Sequence, residues 1–172
     1  MKTMIIGSGG REHALTAKIA ESSLVDAVLV LPGNPGMTMF DHTKKVKTEP
    51  CELSVENSFK SLIEKAKKFH PDLIIIGPDN PLADGITDCL EKNGFKVFGP
   101  SQNAAKLESS KSFAKKVLNS VEVPTPSAFE FKDFDSALSF LFQEFENKTG
   151  KNPDIDGNHN IYREMSRNNS SF

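Results

Sequence analysis

Three glycines between an apolar run and a helical pattern form the segment of this chain best suited to chemistry. Residues 7–12 read Gly7-Ser8-Gly9-Gly10-Arg11-Glu12, and they follow the apolar residues 4–6. Glycine lets main-chain N–H groups approach an anion closely, and the unpaired N–H groups at a helix start add partial positive charge. The segment therefore predicts a bound phosphate.

The spacing of these glycines argues against a dinucleotide site. Glu12 stands where the pattern G-x-G-x-x-G has its third glycine, and a carboxylate there would repel a pyrophosphate. The second predicted strand ends in Leu31-Pro32-Gly33-Asn34 and lacks the acid that holds a ribose in NAD enzymes. A nucleotide-dependent oxidoreductase is therefore the weaker alternative, and a tight turn without a ligand is another.

Arg11 and Glu12 are the charged residues of the segment. A guanidinium beside a glycine turn binds phosphate through two parallel hydrogen bonds, and the alternative for Arg11 is a surface ion pair with a nearby acid. Glu12 falls in the first predicted helical turn, where a carboxylate complements the helix dipole. A functional role for Glu12 would be to orient Arg11 or an amine.

Polar residues after two later strands extend the predicted site. Asn34 and Asn80 carry donors and acceptors suited to ribose hydroxyls, although turn formation explains them nearly as well. Asp79 would accept from a sugar hydroxyl, but one carboxylate does not define a magnesium site. We therefore predict no metal site in this chain and assign no catalytic residue.

Apolar runs alternate with helical patterns through residue 99, which predicts βαβ units and a parallel α/β sheet. Right-handed crossovers bring the loops after the strands to one edge of such a sheet, where ligands of open α/β sheets bind. The continuous apolar run 73–76 is typical of an interior strand. The predicted strands are 2–6, 27–31, 73–76 and 96–98, the helices are 11–21, 55–69 and 82–93, with Ser54 capping the second, and the loops are 7–11, 32–36, 77–81 and 99–101.

Composition limits the class of partner. The 172 residues carry a net charge of -2, which argues against a nucleic-acid or membrane surface. The two cysteines form no C-x-x-C pair, and no apolar run has the length of a signal peptide or a membrane span. We therefore expect a cytoplasmic protein with a small-molecule ligand, no nucleic-acid partner and no membrane.

The pattern changes after residue 100. Residues 101–119 are rich in Ala, Lys and Ser, and a strand at 128–131 and a helix at 134–145, capped by Asp133, are predicted to follow. Only five of the 27 residues from 146 to 172 are apolar, which predicts a disordered tail. We expect three parts, at 1–100, 101–145 and 146–172.

Several segments together carry a family resemblance over about residues 1–145. The sequence resembles the N-terminal part of phosphoribosylamine–glycine ligase, also called glycinamide ribonucleotide synthetase. The segments, in matching order and spacing, are Gly7-Ser8-Gly9-Gly10-Arg11-Glu12-His13-Ala14-Leu15, Pro32-Gly33-Asn34, Gly77-Pro78-Asp79-Asn80-Pro81-Leu82, Phe98-Gly99-Pro100, and the stretch from Leu107 to Lys115 with Glu108, Ser110, Lys111, Phe113 and Ala114.

The resemblance implies a Rossmann-like domain that precedes an ATP-grasp region. The family is an ATP-grasp ligase of purine synthesis, in which ATP with Mg²⁺ or Mn²⁺ activates glycine as an acyl phosphate and the amine of phosphoribosylamine attacks it. Lys111 would open the region on the nucleotide side. The residues that should face the phosphoribosyl substrate are Gly7, Ser8, Gly9, Gly10, Arg11, Glu12, Gly33, Asn34, Gly77, Pro78, Asp79, Asn80 and Pro81.

The resemblance ends where the family's phosphoryl-transfer machinery should begin. An apolar strand with an ATP-contacting lysine, a Gly-rich loop and acidic magnesium ligands are expected there, but the sequence reads Glu146-Asn147-Lys148-Thr149-Gly150 and continues as a polar tail. We therefore expect a chain truncated before the ATP-grasp core, inactive alone and without productive binding of ATP or metal. A separate ATP-grasp segment would complete it, and a non-catalytic phosphosugar- or nucleotide-binding module is the alternative.

Overall fold

A five-stranded parallel sheet forms the centre of the first part of the chain. The computed structural model describes residues 1–39 and 41–149 and orders the strands β3-β2-β1-β4-β5. This arrangement confirms the predicted parallel α/β architecture. The strands are β1 at Lys2–Gly7, β2 at Ala27–Pro32, β3 at Val46–Thr48, β4 at Leu73–Ile76 and β5 at Val97–Phe98.

Helices follow most of the strands and cover the sheet on both faces. Apolar side chains of α3 and α5 pack on one face together with Met4 and Ile74, and α1 and α2 contribute to the cluster on the other. The helices in the described residues are α1 at Gly10–Ala20, α2 at Pro35–Met39, α3 at Lys60–Phe69, α4 at Asp79–Ala83, α5 at Ile86–Lys92, α6 at Gln102–Ser109, α7 at Lys111–Ser120 and α8 at Phe134–Thr149.

The strand order places a topological switch point between β1 and β4. The chain leaves β1 toward β2 and β3 on one side, then returns to add β4 and β5 on the other. Ile6 of β1 lies opposite Leu31 of β2 and Ile76 of β4, so these three strands end at nearly the same level. Ligands of open parallel sheets bind at such a crevice, where successive connections diverge.

The second predicted helix is shorter than expected. We predicted 55–69, but α3 begins at Lys60, because Ser58 and Phe59 have φ angles of 48° and 55°, which lie outside the helical region. Phe59 is buried in the core before the helix starts, which explains the apolar spacing that suggested an earlier beginning. The predicted cap at Ser54 is wrong, since its carbonyl instead accepts from the N–H of Phe59.

The third predicted helix, 82–93, is two helices. Gly85 separates α4 from α5 with a φ of 87°, a conformation that glycine adopts without a steric penalty. Helix α4 also begins earlier than predicted, so Asp79, Asn80 and Pro81 belong to its first turn rather than to a loop. Pro81 is tolerated there because the first turn of a helix does not use its N–H groups.

Two short elements were not predicted from the sequence. Helix α2 has five residues, and strand β3 has three, of which only Val46 is buried. A three-residue strand is too short to show an alternating pattern. Asp41 fixes its start, because the Asp41 carboxylate accepts from the N–H of Val46 at 2.9 Å.

The predicted strand at 128–131 is absent from the structure. Phe129 and Phe131 lie in an irregular segment, and both rings pack against Phe140 of α8 with centroids 4.4 Å and 5.2 Å away. The aromatic residues that suggested a strand therefore contact a helix. The predicted cap of that helix is confirmed, since the Asp133 carboxylate accepts from the N–H of Ser136 at 2.8 Å.

The chain divides into two compact units at a different position from the predicted limits. Unit 1 is Met1–Thr125 and unit 2 is Pro126–Phe172, so the predicted limit at 100 falls inside unit 1. Helix α8 extends to Thr149, four residues beyond its predicted end, and takes up the start of the predicted tail at 146. The remainder of that tail, 150–172, lies outside the described residues.

Candidate functional site

The glycine segment ends β1 and begins α1, as predicted. The first hydrogen bond of the helix joins the N–H of His13 to the carbonyl of Gly9 at 3.0 Å. The N–H groups of Gly10, Arg11 and Glu12 precede that bond and therefore have no partner within the helix. These three amides give the carboxyl edge of the sheet a concentrated partial positive charge.

The Glu12 side chain fills the crevice between β1 and β4. It is 4% exposed, and its Oε2 accepts from the N–H of Gly9 at 2.7 Å. A Cβ at Gly7 or at Gly77 would lie 2.7 Å or 2.6 Å from the Glu12 Cδ, which is closer than real side chains allow. The buried glutamate therefore leaves no room for a side chain at these two positions, and Gly7 in addition has a φ of 130°, which glycine adopts without a steric penalty.

Gly10 differs from these glycines because it is open. A Cβ at Gly10 would meet no atom within 4 Å. The space over the first turn of α1 is therefore free, so a ligand can come close to the amides of Gly10 and Arg11. The structure thus divides the glycine segment into residues that accommodate Glu12 and one residue that faces open space.

Arg11 forms an ion pair across the switch point. Its guanidinium donates to the two carboxylate oxygens of Asp79 at 3.3 Å and 3.4 Å, and the side chains are 68% and 46% exposed. The hydrogen bond and the charge of Asp79 raise the pKa of Arg11 above its usual value. This is the surface pair that we named as the alternative for Arg11, and its exposure leaves the guanidinium accessible to an anion.

The loop after β2 is tied to the glycine segment. The side-chain amide of Asn34 donates to the carbonyl of Ser8 at 2.9 Å, and the N–H of Gly33 donates to the carbonyl of Gly7 at 3.1 Å. Asn34 therefore supports the position of the loop instead of presenting its amide nitrogen to a ligand. Gly33 has a φ of 68°, which disfavours any other residue there.

An open cleft of about 570 Å³ lies over these loops. The predicted residues Gly33, Asn34, Gly77 and Asp79 do not line this cleft. Pro32, in the predicted loop 32–36, also lines the cleft. Leu53 lines it and was missed, because it follows β3, which was itself not predicted. The lining residues are Gly7, Ser8, Gly9, Gly10, Arg11, Glu12, Pro32, Leu53, Pro78, Asn80 and Pro81.

Lys111 is the first residue of α7, which Ser110 caps by accepting from the N–H of Phe113. It does not line the cleft, so its assignment to a nucleotide remains a prediction.

A second cavity of about 440 Å³ lies between β3 and α3, where Lys65 pairs with Glu49 at 2.6 Å, and contains none of the predicted site residues. Lys65 lowers the pKa of Glu49.

The cleft offers hydrogen-bond donors suited to an anion, beside the buried carboxylate of Glu12. Three amides and one guanidinium supply the donors, and the cleft combines them with the polar side chain of Asn80. Within residues 1–39 and 41–149, no three His, Cys, Asp or Glu side chains cluster as metal ligands would. Nor is any described helix both long and apolar enough to span a bilayer.

Comparisons with known proteins identify relatives that are much longer than this chain. The phosphoribosylamine–glycine ligase of Listeria monocytogenes serotype 4b (strain F2365) is 40% identical over 141 residues, which are 82% of this chain and 32% of that protein. The ligase of Streptococcus pneumoniae serotype 4 is 42% identical over the same share of each. The chain therefore spans about a third of the length of the curated relatives it matches.

A solved structure and a family model match as well. The crystal structure of phosphoribosylamine–glycine ligase from Thermotoga maritima has a TM-score of 0.57 and 27% identity, over 84% of this chain and 31% of that one. The family model for the N domain of phosphoribosylglycinamide synthetase matches residues 1–108, which include the β1–α1 loop and every residue that lines the cleft. The chain therefore belongs to the phosphoribosylglycinamide synthetase N-domain family.

Proposed function

We propose that the cleft binds the phosphoribosyl group of phosphoribosylamine, and that this chain supplies the substrate-binding N-terminal domain of a phosphoribosylamine–glycine ligase. The observation that carries the proposal is the position of the α1 amides and Arg11 at the switch point of a parallel sheet. An open α/β sheet binds its ligands at this place, and a helix start favours an anion. The identity of the substrate in this proposal comes from the relatives, which are named phosphoribosylamine–glycine ligases.

The phosphate lies over Gly10 and Arg11 in this proposal. Gly10 leaves open space, and the guanidinium of Arg11 is exposed beside it. Arg11 then exchanges its exposed pairing with Asp79 for two charged hydrogen bonds to the phosphate, which are stronger. Asn80, on the β4 side of the cleft, offers a donor and an acceptor to the ribose hydroxyls.

The complete reaction joins glycine to phosphoribosylamine and forms glycinamide ribonucleotide, with ATP converted to ADP and phosphate. We propose that the nucleotide and its Mg²⁺ or Mn²⁺ bind to an ATP-grasp segment beyond this domain, and that Lys111 lies on that side. Among the described residues no three His, Cys, Asp or Glu side chains cluster, and we assign the metal to the nucleotide side of the complete enzyme. The part of the described residues in the reaction is to bind and orient the sugar phosphate.

The 172-residue chain alone should therefore bind substrate without completing the reaction. Isothermal titration with ribose 5-phosphate tests the binding, and an ADP-release assay with phosphoribosylamine generated in situ tests the turnover. The proposal expects a saturable phosphate-dependent signal and no ADP above background. Absence of binding would contradict the substrate role. Turnover at the rate of a full-length ligase would contradict the proposal that catalysis needs a separate ATP-grasp segment.

A further inference from the structure

One oxygen of the Glu12 carboxylate is buried in the cleft floor without a hydrogen-bond partner among the described residues. The other oxygen, Oε2, is held by the N–H of Gly9, so the carboxylate has a fixed position. A buried polar atom without a partner is costly, and for a charged group the cost is larger still. Oε1 is therefore an acceptor without a donor among the described residues.

The surroundings of Oε1 favour a donor that arrives with a ligand. Glu12 lines the cleft, and its buried carboxylate packs against Gly7 and Gly77. The unpaired oxygen lies beside Gly77, because it is the atom nearest to a Cβ built there, and Gly10 and Arg11 line the same cleft. A ligand held there by its phosphate would bring its remaining polar groups within the same cleft.

We propose that Glu12 Oε1 accepts a hydrogen bond from the amino group of the bound sugar phosphate, and that Glu12 makes the cleft selective for an aminated ligand. This inference rests on the proposed function, which supplies the class of ligand. An amine offers two or three donors and, when protonated, a charge opposite to that of the buried carboxylate. A hydroxyl offers one neutral donor. An amine on the sugar phosphate therefore satisfies the buried Glu12 carboxylate better than a hydroxyl does.

The Glu12→Gln variant separates this role from the structural one. Glutamine has nearly the same shape, and its carbonyl oxygen can still accept from the N–H of Gly9. Its amide nitrogen then occupies the position of Oε1, so the amino group of the ligand meets another hydrogen-bond donor instead of an acceptor. The change therefore removes the proposed contact while it preserves the packing between Gly7 and Gly77.

The experiment uses three stable ligands that differ at one position. They are the carbocyclic analogue of phosphoribosylamine, which carries the amine on a cyclopentane ring, and its counterparts with hydroxyl or hydrogen in place of the amine. Calorimetric titration of the wild-type chain should show the amine bound at least tenfold more tightly than the hydrogen counterpart. Glu12→Gln should abolish that preference without weakening the binding of the hydrogen counterpart, because the variant also loses a negative charge that disfavours the phosphate.

Each other outcome overturns the inference in a distinct way. Equal wild-type affinities for amine and hydrogen ligands would mean that water alone satisfies Oε1, and equal affinities for amine and hydroxyl would remove the selectivity. A Glu12→Gln variant that loses all ligands equally, with a lowered melting temperature, would reduce Glu12 to a structural residue. If no ligand binds to the wild-type chain, the proposed function itself fails. Glu21→Gln, at the exposed end of the same helix, is the matched control.

Discussion

Arg11 and Asp79 are paired at 3.3 Å across the switch point, so a contact between side chains joins the first turn of α1 to the first turn of α4. Both side chains are substantially exposed, and exposed pairs contribute little to stability. Under the proposed function the pair matters for binding more than for folding, because Asp79 and the phosphate would compete for the same guanidinium.

Replacing Arg11 by alanine should weaken the binding of ribose 5-phosphate. The loss should be about 1.5–3 kcal/mol, the range for hydrogen bonds to charged groups, because the phosphate loses its side-chain donor and keeps only the α1 amides. Isothermal titration measures the change. Lys18→Ala is the control, since Lys18 is an exposed cation at the far end of the same helix. Unchanged affinity in Arg11→Ala would remove Arg11 from the site.

Replacing Asp79 by asparagine should have the opposite effect on inorganic phosphate. The change removes the negative charge that pairs with Arg11, so phosphate should bind more tightly by about 0.5–1 kcal/mol, similar to the strength of an exposed ion pair. Inorganic phosphate is the appropriate probe because it has no ribose hydroxyls for Asp79 to contact. Glu21→Gln breaks a comparable pair far from the cleft. Weaker phosphate binding in Asp79→Asn would contradict the competition.

A methyl group at Gly77 should destabilise the fold through Glu12. The Cβ would lie 2.6 Å from the Glu12 Cδ, so Gly77→Ala should lower the free energy of unfolding by about 1–3 kcal/mol, as overpacking does. Urea denaturation measures the effect, and Gly10→Ala serves as the control because its Cβ meets open space.

The same substitution in a Glu12→Ala background tests the cause. Without the glutamate side chain the space beside Gly77 is free, so Gly77→Ala should then cost much less than it does in the wild-type chain. The double-mutant cycle would report this difference as a coupling energy above about 1 kcal/mol. Additive effects would show that backbone strain, rather than Glu12, restricts residue 77.

The sheet and the edge at which its β–α loops meet could be predicted from the sequence because both follow from patterns within short segments. The apolar runs of β1, β2 and β4 are unambiguous, and parallel connections bring their ends to one edge. The errors arose where tertiary contacts overrode local patterns. Phe59 has helical spacing but packs in the core with a positive φ, and Phe129 and Phe131 resemble strand residues but contact Phe140.

The site was predicted less completely than the fold, because the spacing of residues along the sequence does not show which side chains will contact one another. The sequence indicated an exposed phosphate contact at Arg11, but not that Asp79 would pair with it. Three glycines suggested close approach of a ligand, whereas two of the glycines around the cleft, Gly7 and Gly77, make room for Glu12. Leu53 could not be found without β3, whose three residues carry too little pattern to be recognised.

The free energy of unfolding should depend on pH through Asp41, which lies in the loop that leads into β3. Asp41 accepts from the N–H groups of Thr43 at 2.8 Å and of Val46 at 2.9 Å. Burial acts to raise the pKa of Asp41, but the hydrogen bonds from Thr43, Val46 and Lys45 outweigh it and hold the pKa below its usual value. A lowered folded-state pKa means that the ionised carboxylate stabilises the fold, and this stabilisation disappears as pH falls through that pKa.

Asp41→Asn should therefore lower the free energy of unfolding by about 1–3 kcal/mol at neutral pH, because one backbone N–H loses its acceptor. The difference from wild type should stay constant between about pH 5 and 7, where Asp41 is ionised in the folded and unfolded chains alike. It should shrink below about pH 4, as the wild-type carboxylate takes up its proton. Urea denaturation of both chains at several pH values measures the difference. A gap that persists unchanged to pH 2.5 would show that packing, not the charge of Asp41, stabilises this loop.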